Sequence, residues 1–310
     1  MRTISPFSAA IVRWFDSWAG APPVASAASR RTDYVRVIPF AAMHLGCLLV
    51  IPAGWSAPAV GVAIALYFVR MFAITGFYHR YFSHRAFEVS RPMRLAMALA
   101  GATAVQRGAL WWAAHHRRHH RHSDMEGDIH SPRLHGFWWA HAGWITSGAH
   151  FRTDIALIPD LAKYPELRFL DRFDTLVPLL LAGGLWGLGA AWGAIDPASG
   201  VTGFQMLAWG FFASTIVLFH ATCTINSLAH RIGKRRYETT DDSRNSWFLA
   251  LLTLGEGWHN NHHRYPGAAA QGFRWWELDI TLLGLRALAL VGLVRDLRPV
   301  PAALRSDGPA

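Results

Sequence analysis

Long apolar runs dominate the pattern along this chain of 310 residues. Four of them reach roughly the 20 residues that a helix needs to cross a hydrocarbon layer of about 30 Å. They cover residues 35–56, 57–78, 175–194 and 203–225. A Pro/Gly turn joins the first pair, and a short stretch at 196–200 joins the second pair. The pattern therefore predicts an all-α integral membrane protein whose four transmembrane helices form two hairpins.

The remaining segments are predicted to lie beside the membrane. Residues 93–110 and 278–293 are apolar but are interrupted by polar or charged residues, so we expect them in the interface or beneath a helical cap. Residues 1–34 are predicted to be a cytoplasmic segment with an interfacial helix. The apolar face of that helix would carry Phe7, Ile11, Trp14, Phe15 and Trp18. Residues 35–298 then form one membrane domain, and 299–310 form a flexible tail.

Composition supports a membrane protein. Hydrophobic residues make up 52% of the chain and charged residues 16%, whereas a soluble domain carries about 25% charged residues. The net charge of +10 does not indicate nucleic acid, because Arg-rich loops beside a membrane explain it. The two cysteines, Cys47 and Cys223, lie in apolar runs and predict neither a disulfide framework nor a metal site.

The distribution of basic residues predicts the orientation. Neither hairpin loop contains Lys or Arg, and nearly all basic residues lie before the first span, between the second and third, or after the fourth. Loops rich in Lys and Arg stay in the cytoplasm. Both termini and residues 79–174 are therefore predicted to be cytoplasmic, and we expect a multi-pass protein of a bacterial inner membrane.

Seventeen histidines occur, and three clusters of them lie on this predicted cytoplasmic side. The clusters are His79 and His84; His115, His116, His119 and His120; and His259, His262 and His263. In the second and third clusters, spacings of i, i+3 and i+4 place three imidazoles on one face of a helix. The first pair lies five residues apart, about 140° around an ideal α-helix, and converges only if the helix ends or bends there.

A fourth motif, Asn226 to His230, leaves the last span on the same side and can join the clusters. The candidate ligands are then His79, His84, His116, His119, His120, His230, His259, His262 and His263. Nine imidazoles exceed the four or so ligands of one zinc and suit two ions. Imidazole binds iron, zinc, copper and nickel, so ligand type alone leaves the metal open. His44 and His220, inside the spans, are expected to be packed or hydrogen-bonded groups.

These motifs resemble the membrane fatty-acid desaturase family, especially its delta-9 acyl-CoA branch, over residues 67–299. The resemblance lies in HRYFSH (79–84), HRRHH (116–120), NSLAH (226–230) and GEGWHNNHH (255–263). It implies that His116 rather than His115 is a ligand, that His230 is the ninth histidine, and that Asn226 reaches metal through water. It also implies a di-iron centre under a cytoplasmic helical cap, with O2 as co-substrate. The implied product is a cis-monounsaturated acyl chain.

The resemblance further implies a kinked acyl tunnel. Residues matching its walls are Gln106, Trp112 and Thr222, and those at the depth that sets chain length are Tyr67 and Met71. Taken alone, Trp112 is typical of an ordinary core or interface tryptophan. Likewise, the Thr222 hydroxyl would ordinarily bond back to its own helix.

One departure concerns the acyl carrier. Animal acyl-CoA members hold the CoA head group with basic residues, and this chain has Ala114, Gly148 and Ala149 at those places. The carrier is therefore either CoA bound by other arginines, such as Arg133 or Arg152, or a phospholipid in the bilayer.

The implied reaction sets further requirements. A methylene C–H bond is too strong for acid–base chemistry, so metal-based oxidation is needed while the protein orients the chain and excludes water. Two electrons must come from a separate donor of ferredoxin, rubredoxin or cytochrome type, docked on the basic face. Residues expected to orient the ligand imidazoles are Asp124, Asp128, Glu256 and Asn245.

Two other functions fit part of the pattern. Membrane di-iron hydroxylases of alkyl, sterol or carotenoid substrates have similar histidine boxes with different spacing. A metal transporter or other non-enzymatic metal-binding membrane protein would place its ligands near the bilayer midplane, whereas these clusters lie outside the spans. The third box together with NSLAH favours desaturation.

Overall fold

The computed structural model describes residues 6–19 and 31–306. This part of the chain is helical, and its only β-pairing is isolated bridges. Numbered in chain order, the α-helices are α1 (Pro6–Phe15), α2 (Tyr34–Ala53), α3 (Ala57–Ser83), α4 (Arg91–Ala102), α5 (Ala109–His122), α6 (Pro132–His135), α7 (Phe137–His141), α8 (Pro159–Ala162), α9 (Pro165–Arg172), α10 (Leu176–Ile195), α11 (Gly203–Ser227), α12 (Trp247–Leu252), α13 (His259–Arg264), α14 (Ile280–Leu290) and α15 (Ala302–Ser306). Short 3-10 turns lie at Gly143–Thr146, Gly148–His150, Ile155–Leu157 and Pro197–Ser199.

Four helices of the described chain, α2, α3, α10 and α11, are long and apolar enough to cross a membrane. The predicted all-helical architecture with four spans is confirmed, although α3 continues past the predicted end at 78 to Ser83. Of the most apolar 18-residue stretch of α11, 50% is buried within the protein, whereas only 11% of the corresponding stretch of α2 is buried. Helix α11 is therefore central, and α2 presents most of its apolar surface outward, where lipid would cover it.

The turn between the first two spans begins α3 sharply. Gly54 has φ of 65°, a left-handed conformation that glycine adopts without strain. The Ser56 hydroxyl then accepts a hydrogen bond from the backbone N–H of Ala59 at 3.4 Å and caps the helix, with Pro58 in its first turn. The hairpin therefore follows from local chemistry.

The inner end of α3 changes helix type. Residues Ala73–Ser83 form a π-helix, in which backbone hydrogen bonds join residues five apart. The backbone N–H of His84 accordingly donates to the carbonyl of His79 at 3.3 Å. Residues five apart lie almost above one another in this geometry, so the two side chains of the first cluster share a face. An ideal α-helix would have separated them.

A cap of residues 84–174 and 228–306 packs against the inner ends of the spans. One apolar core joins the π-helical segment to α5, α8 and α9. Its members Tyr78, Phe82, Leu110, Leu161 and Leu167 are at most 1% exposed. This core holds the end of α3 and the start of α5 in a fixed relation, so the histidines on both helices face each other.

A buried arginine joins the two central spans. Arg70 of α3 is 1% exposed and donates to the hydroxyls of Ser214 at 2.6 Å and Thr215 at 2.7 Å on α11. It also donates to the backbone carbonyls of Thr103 and Gly210 at 3.3 and 3.4 Å. Neutral oxygen acceptors thus satisfy this cation and fix α3 against α11 and against the loop after α4.

Both ends of the described chain attach to the cap. The indole N–H groups of Trp14 and Trp18 donate to the Val35 carbonyl at 2.6 Å and to Asp171 at 3.1 Å. Within the predicted tail, Ala302–Ser306 forms a helix, and the Tyr237 hydroxyl donates to the Leu304 carbonyl at 2.6 Å. Residues 1–5, 20–30 and 307–310 of the predicted terminal segments lie outside the described residues.

Replacing Gly101 with alanine is expected to destabilise the protein. A Cβ at Gly101 would stand 2.0 Å from the Tyr78 ring, which is fully buried and hydrogen-bonded to the carbonyls of Ala98 and Arg107. Because Tyr78 cannot move freely, we expect a loss of about 1–3 kcal/mol, seen as a lower thermal unfolding midpoint in detergent.

The matched control is Gly61→Ala in α3, because a Cβ there meets no atom within 4 Å. This change should be neutral or raise the midpoint, since alanine favours helix by about 0.5–1 kcal/mol over glycine. Equal midpoints for the two variants would contradict the packing described around Tyr78.

Candidate metal centre

Four elements bring the histidine clusters together. The π-helical end of α3 carries His79 and is followed by His84, and α5 carries His116, His119 and His120. His230 lies in the turn after α11, and α13 carries His259, His262 and His263. All nine predicted side chains converge, in two groups.

The first group contains five imidazoles from three elements: His79, His84, His116, His120 and His262. Their ligand atoms all lie within 4.8 Å of one another. The Nε2 atoms of His84 and His116 are 2.8 Å apart, and those of His262 and His120 are 2.9 Å apart. The Nε2 atom of His79 lies 3.1 Å from that of His262 and 3.2 Å from that of His84. Five ring nitrogens therefore point at one small volume.

The second group contains four imidazoles: His119, His230, His259 and His263. Their ligand atoms also lie within 4.8 Å of one another, and the Nε2 atoms of His230 and His259 are 3.1 Å apart. The groups adjoin, because His120 stacks on His263 with ring centroids 4.5 Å apart. The arrangement is thus two neighbouring sites.

Buried carboxylates fix the orientation of four of these rings. The Nδ1 atoms of His119, His230 and His263 lie 3.0, 2.7 and 2.5 Å from Asp128, Asp124 and Asp241, respectively. His79 makes the same contact with Glu256, which Arg80 holds at 3.0 Å. Because an ionised carboxylate only accepts hydrogen bonds, each Nδ1 carries the proton and each Nε2 keeps its lone pair.

This donor set fits metal ions. In the second group, the carboxylates on Nδ1 leave the Nε2 atoms of His119, His230 and His263 available to a cation, and the ligand atoms of this group lie within 4.8 Å of one another. The buried Nε2 atom of His263 has no hydrogen-bond partner among the described residues. Carboxylates on Nδ1 are the usual partners of histidines that bind metal through Nε2.

The protonation states suit the same purpose. Burial, with help from neighbouring imidazoles, lowers the pKa of His84, His116, His120, His259 and His262 well below 6.5, so these rings are neutral ligands near pH 7. Burial alone would raise the pKa of Asp124, but hydrogen bonds from His230 and Ser131 outweigh it and bring that pKa to about 2. The carboxylate is therefore ionised.

Of the four residues expected to orient ligands, Asn245 has a different place. Its side-chain amide donates to the side-chain Oδ1 of Asn261 at 2.7 Å, and its Oδ1 accepts from the backbone N–H groups of Asn260 and Asn261 at 2.9 and 3.1 Å. It contacts the first turn of α13 and no ligand ring, so it positions the helix that carries the third cluster.

Three residues near the ligands escaped the sequence reasoning. Asp241 contacts His263, and the Gln271 amide lies 3.2 Å from Nδ1 of His79. His130 stands against His119 and Asp128 in a third group that could hold a metal ion. All three lie outside the histidine clusters in the sequence, and a polar residue in a cap loop carries no spacing signal. The tandem Asp241-Asp242 was the one visible cue.

The remaining histidines of the clusters and spans lie apart from both groups. His115 contacts the backbone carbonyl of His150 at 3.0 Å, and His122 is exposed. His44 and His220 contact each other through Nε2 at 3.1 Å, and His220 also contacts His141 at 3.0 Å. They are hydrogen-bonded groups within the bundle.

Two cavities meet at the metal centre. A larger one of about 260 Å³ and a smaller one of about 40 Å³ share four lining residues: Trp112, His116, Thr222 and Asn226. The Gln106 amide donates to the Thr222 hydroxyl at 3.0 Å, and that hydroxyl also bonds back to the Leu218 carbonyl at 3.0 Å. Gln106, Trp112 and Thr222 therefore lie together at this junction.

Met71 and Tyr67, the two residues predicted to lie at the depth that sets chain length, have different surroundings in the structure. Met71 is fully buried and lines the smaller cavity beside Thr75 and His79. Tyr67 lines neither cavity, and its hydroxyl donates to the Leu252 carbonyl at 2.6 Å. Met71 thus lies at the wall of the smaller cavity, whereas Tyr67 joins α3 to α12.

Comparison with known proteins places these features in a family. The sequence model described as fatty acid desaturase matches residues 53–289. An sn-1 stearoyl-lipid 9-desaturase of Anabaena variabilis is 33% identical over 278 residues, which cover 89% of this chain and 97% of that protein. An sn-2 palmitoyl-lipid 9-desaturase of Nostoc sp. (strain 36) is 34% identical over 281 residues, covering 88% and 93%. An acyl-CoA 5-desaturase of Anemone leveillei is 34% identical over 271 residues, covering 86% and 80%.

Replacing Asp241 with asparagine is expected to weaken metal binding in the second group. The amide cannot hold the Nδ1 proton of His263 as a carboxylate does, and loss of such a partner costs roughly 10- to 100-fold in metal affinity. Metal retained after dialysis against a graded chelator series, measured by elemental analysis, reports this change.

Asp242→Asn is the matched control, because the Asp242 side chain only approaches Arg133 and Arg235, at 3.8 and 4.0 Å. It should retain metal like the unaltered protein. If both variants release metal equally, the hydrogen bond from His263 to Asp241 is not what orients that ligand.

Proposed function

The chain belongs to the fatty acid desaturase family and is a fatty acyl desaturase, and we propose that it forms a cis double bond near carbon 9 of a saturated chain carried by a membrane lipid. The observation that carries this proposal is the position of two histidine groups at the junction of two cavities. The two 9-desaturases reported above act on lipid-linked chains by name, which supports both the carrier and the position.

The nine histidines would hold two iron ions, one in each group, and Asn226 would join through water. The irons supply the oxidation with O2, and the balanced reaction consumes the two hydrogens of adjacent methylenes, O2, two electrons and two protons, giving an alkene and two waters. The chain's own contribution is to keep the Nε2 lone pairs aimed inward through the carboxylates at Nδ1, and to exclude water by burial.

The acyl chain would run through the larger cavity, bend at the junction and end in the smaller one. Trp112 stacks on His116 with ring centroids 4.9 Å apart, so the wall of the bend is fixed to a metal ligand. The Gln106–Thr222 pair closes the opposite side. Holding one C–C bond beside the irons is a proximity effect, and Met71 limits the chain beyond it.

A lipid carrier also agrees with Ala114, Gly148 and Ala149, which stand where the animal acyl-CoA members have basic residues. Ala114 is 1% exposed, so it offers no surface to a head group. The stretch around Gly148 pairs with the N-terminal segment, since the backbone N–H of Gly148 donates to the Arg31 carbonyl at 3.3 Å and Thr32 bridges Ser147. That strip of the cap is covered by the chain itself.

The electron donor would dock where three exposed arginines surround the ligands. Arg121, Arg231 and Arg264 each directly follow a candidate ligand in the sequence, and all three are exposed. A small acidic protein of ferredoxin, rubredoxin or cytochrome type matches this charge. Once docked, it would contact residues that directly follow the candidate metal ligands in the sequence. The basic loops also support a cap and both termini on the cytoplasmic side, in a bacterial inner membrane.

His262→Ala is expected to abolish desaturation, because it removes a ligand of the first group. Cells that make the unaltered protein with a suitable donor should contain a new monounsaturated fatty acid, and those with the variant should contain at least about 100-fold less. The fatty-acid profile by gas chromatography gives both the amount and the double-bond position.

His122→Ala is the control, since His122 is exposed and lies outside both groups. It should leave the profile unchanged. A hydroxylated acid in place of an alkene would assign the chain to oxidation without desaturation and refute the proposed reaction.

Arg264→Glu is expected to slow electron delivery without loss of metal, because it reverses a charge on the proposed docking face. At low ionic strength the turnover rate at limiting donor should fall roughly tenfold, and the difference should shrink as salt screens the charges. Arg168→Glu, an exposed charge on α9 away from the ligands, should have little effect. Equal turnover rates for the unaltered protein and both variants would contradict the proposed docking site.

A further inference from the structure

The larger cavity has a strongly basic end. Arg13, Arg36 and Arg107 line it, and the only carboxylate among its lining residues is Asp174. They come from three separate parts of the described chain: α1, the start of α2, and the loop before α5. His116 and Asn226 line the same cavity, so a single cavity connects the three guanidiniums to the metal centre.

The ion pairs at this end involve more guanidiniums than carboxylates. Asp33 pairs with Arg13 and lies 3.8 Å from Nε of Arg36, and Asp174 pairs with Arg107. Three guanidiniums thus meet two carboxylates. Asp174 also accepts from the Ser17 hydroxyl at 2.7 Å, so part of its hydrogen-bonding capacity is already used.

Two arginine N–H donors at this end have no hydrogen-bond acceptor among the described residues. Arg36 is 5% exposed, and its Nη atoms donate to the backbone carbonyls of Arg13 and Ala19 at 3.2 and 2.6 Å. The buried Nε atoms of Arg13 and Arg36 have no hydrogen-bond partner among the described residues. Leaving a buried charged donor unpaired is costly, so an anion that accepts these N–H groups would be stabilised here.

These arginines lie near the starts of two spans, which is the depth in a membrane at which lipid head groups lie. Arg36 is the third residue of the span Tyr34–Ala53, and Asp174, the partner of Arg107, precedes the span Leu176–Ile195 by two residues. The starts of spans lie at the membrane–water boundary, where lipid phosphates lie. A lipid in this leaflet could place its phosphate among the arginines and its acyl chain in the cavity.

We propose that Arg13, Arg36 and Arg107 bind the phosphate of the acyl carrier and so select phosphate-bearing carriers over uncharged ones. This inference rests on the proposed function, since it names the head group whose chain is oxidised. Arg107 lies two residues before α5, and the seven helical steps from Ala109 to His116 span about 10 Å at 1.5 Å per residue. A phosphate fixed there sets the origin from which the position of the double bond is measured.

The test compares three carriers of the same stearoyl chain with purified, iron-loaded protein and an electron donor. The carriers are distearoyl phosphatidylglycerol, distearoyl monogalactosyldiacylglycerol and stearoyl-CoA, each in vesicles or micelles of otherwise neutral lipid. We expect the phosphatidylglycerol to be used at least about tenfold better by kcat/KM than the galactolipid, the effect expected of one charge-assisted hydrogen bond.

Variants separate binding from folding. Arg36→Gln and Arg107→Gln should raise KM for phosphatidylglycerol about tenfold more than they raise KM for the galactolipid. Arg107→Lys should recover part of the preference because it keeps the charge. Arg286→Gln, an exposed arginine outside the cavity lining, is the matched control and should behave like the unaltered protein.

The results distinguish CoA from a phospholipid as the source of the phosphate. They also test the phosphate site separately from the proposed desaturation. Preference for stearoyl-CoA that is lost in Arg36→Gln would keep the phosphate site and contradict its location at lipid level. Equal use of phosphatidylglycerol and galactolipid would overturn the site. Native mass spectrometry of bound lysophosphatidylglycerol against its galactosyl counterpart tests the site independently of turnover. Selective binding without an alkene product would therefore refute only the proposed function.

Discussion

The crowding of nine imidazoles around two small volumes is the constraint on which the rest of this structure depends. Carboxylates accept hydrogen bonds from the Nδ1–H groups of His79, His119, His230 and His263, so the Nε2 lone pairs of these rings face the centres of the two groups. Such an arrangement is unfavourable without positive charge between the rings. Metal ions supply it, and metal binding then contributes directly to the stability of the cap that holds the ligands.

The membrane topology serves this constraint. Two hairpins return the chain to the same side, so the ends of α3 and α11 meet the cap helices α5 and α13 there. The π-helical end of α3 aligns His79 with His84, and π-helical turns are frequent at functional sites. The same elements enclose the two cavities, so the proposed path of the acyl chain and the positions of the candidate ligands depend on the same helix packing.

The sequence was sufficient for the spans and for the candidate ligands, because both rest on repeated patterns: apolar runs of membrane length, and His at i, i+3 and i+4. It could not show how His79 and His84 converge, since a π-helix has no spacing signature. Asp241 and Gln271 escaped because loops bring them to the ligands only in the folded chain. The surroundings of Tyr67 could not be read from the sequence for a related reason. A position along a helix does not tell which neighbour its side chain meets, and that neighbour is the Leu252 carbonyl.

We propose that the two histidine groups hold a pair of iron ions beside a bent acyl cavity. Diffraction data collected on either side of the iron absorption edge, from crystals of protein produced with iron, would locate those ions directly. Two anomalous peaks are predicted, one among His79, His84, His116, His120 and His262, and the other among His119, His230, His259 and His263. A single peak, or iron bound outside both groups, would contradict the account.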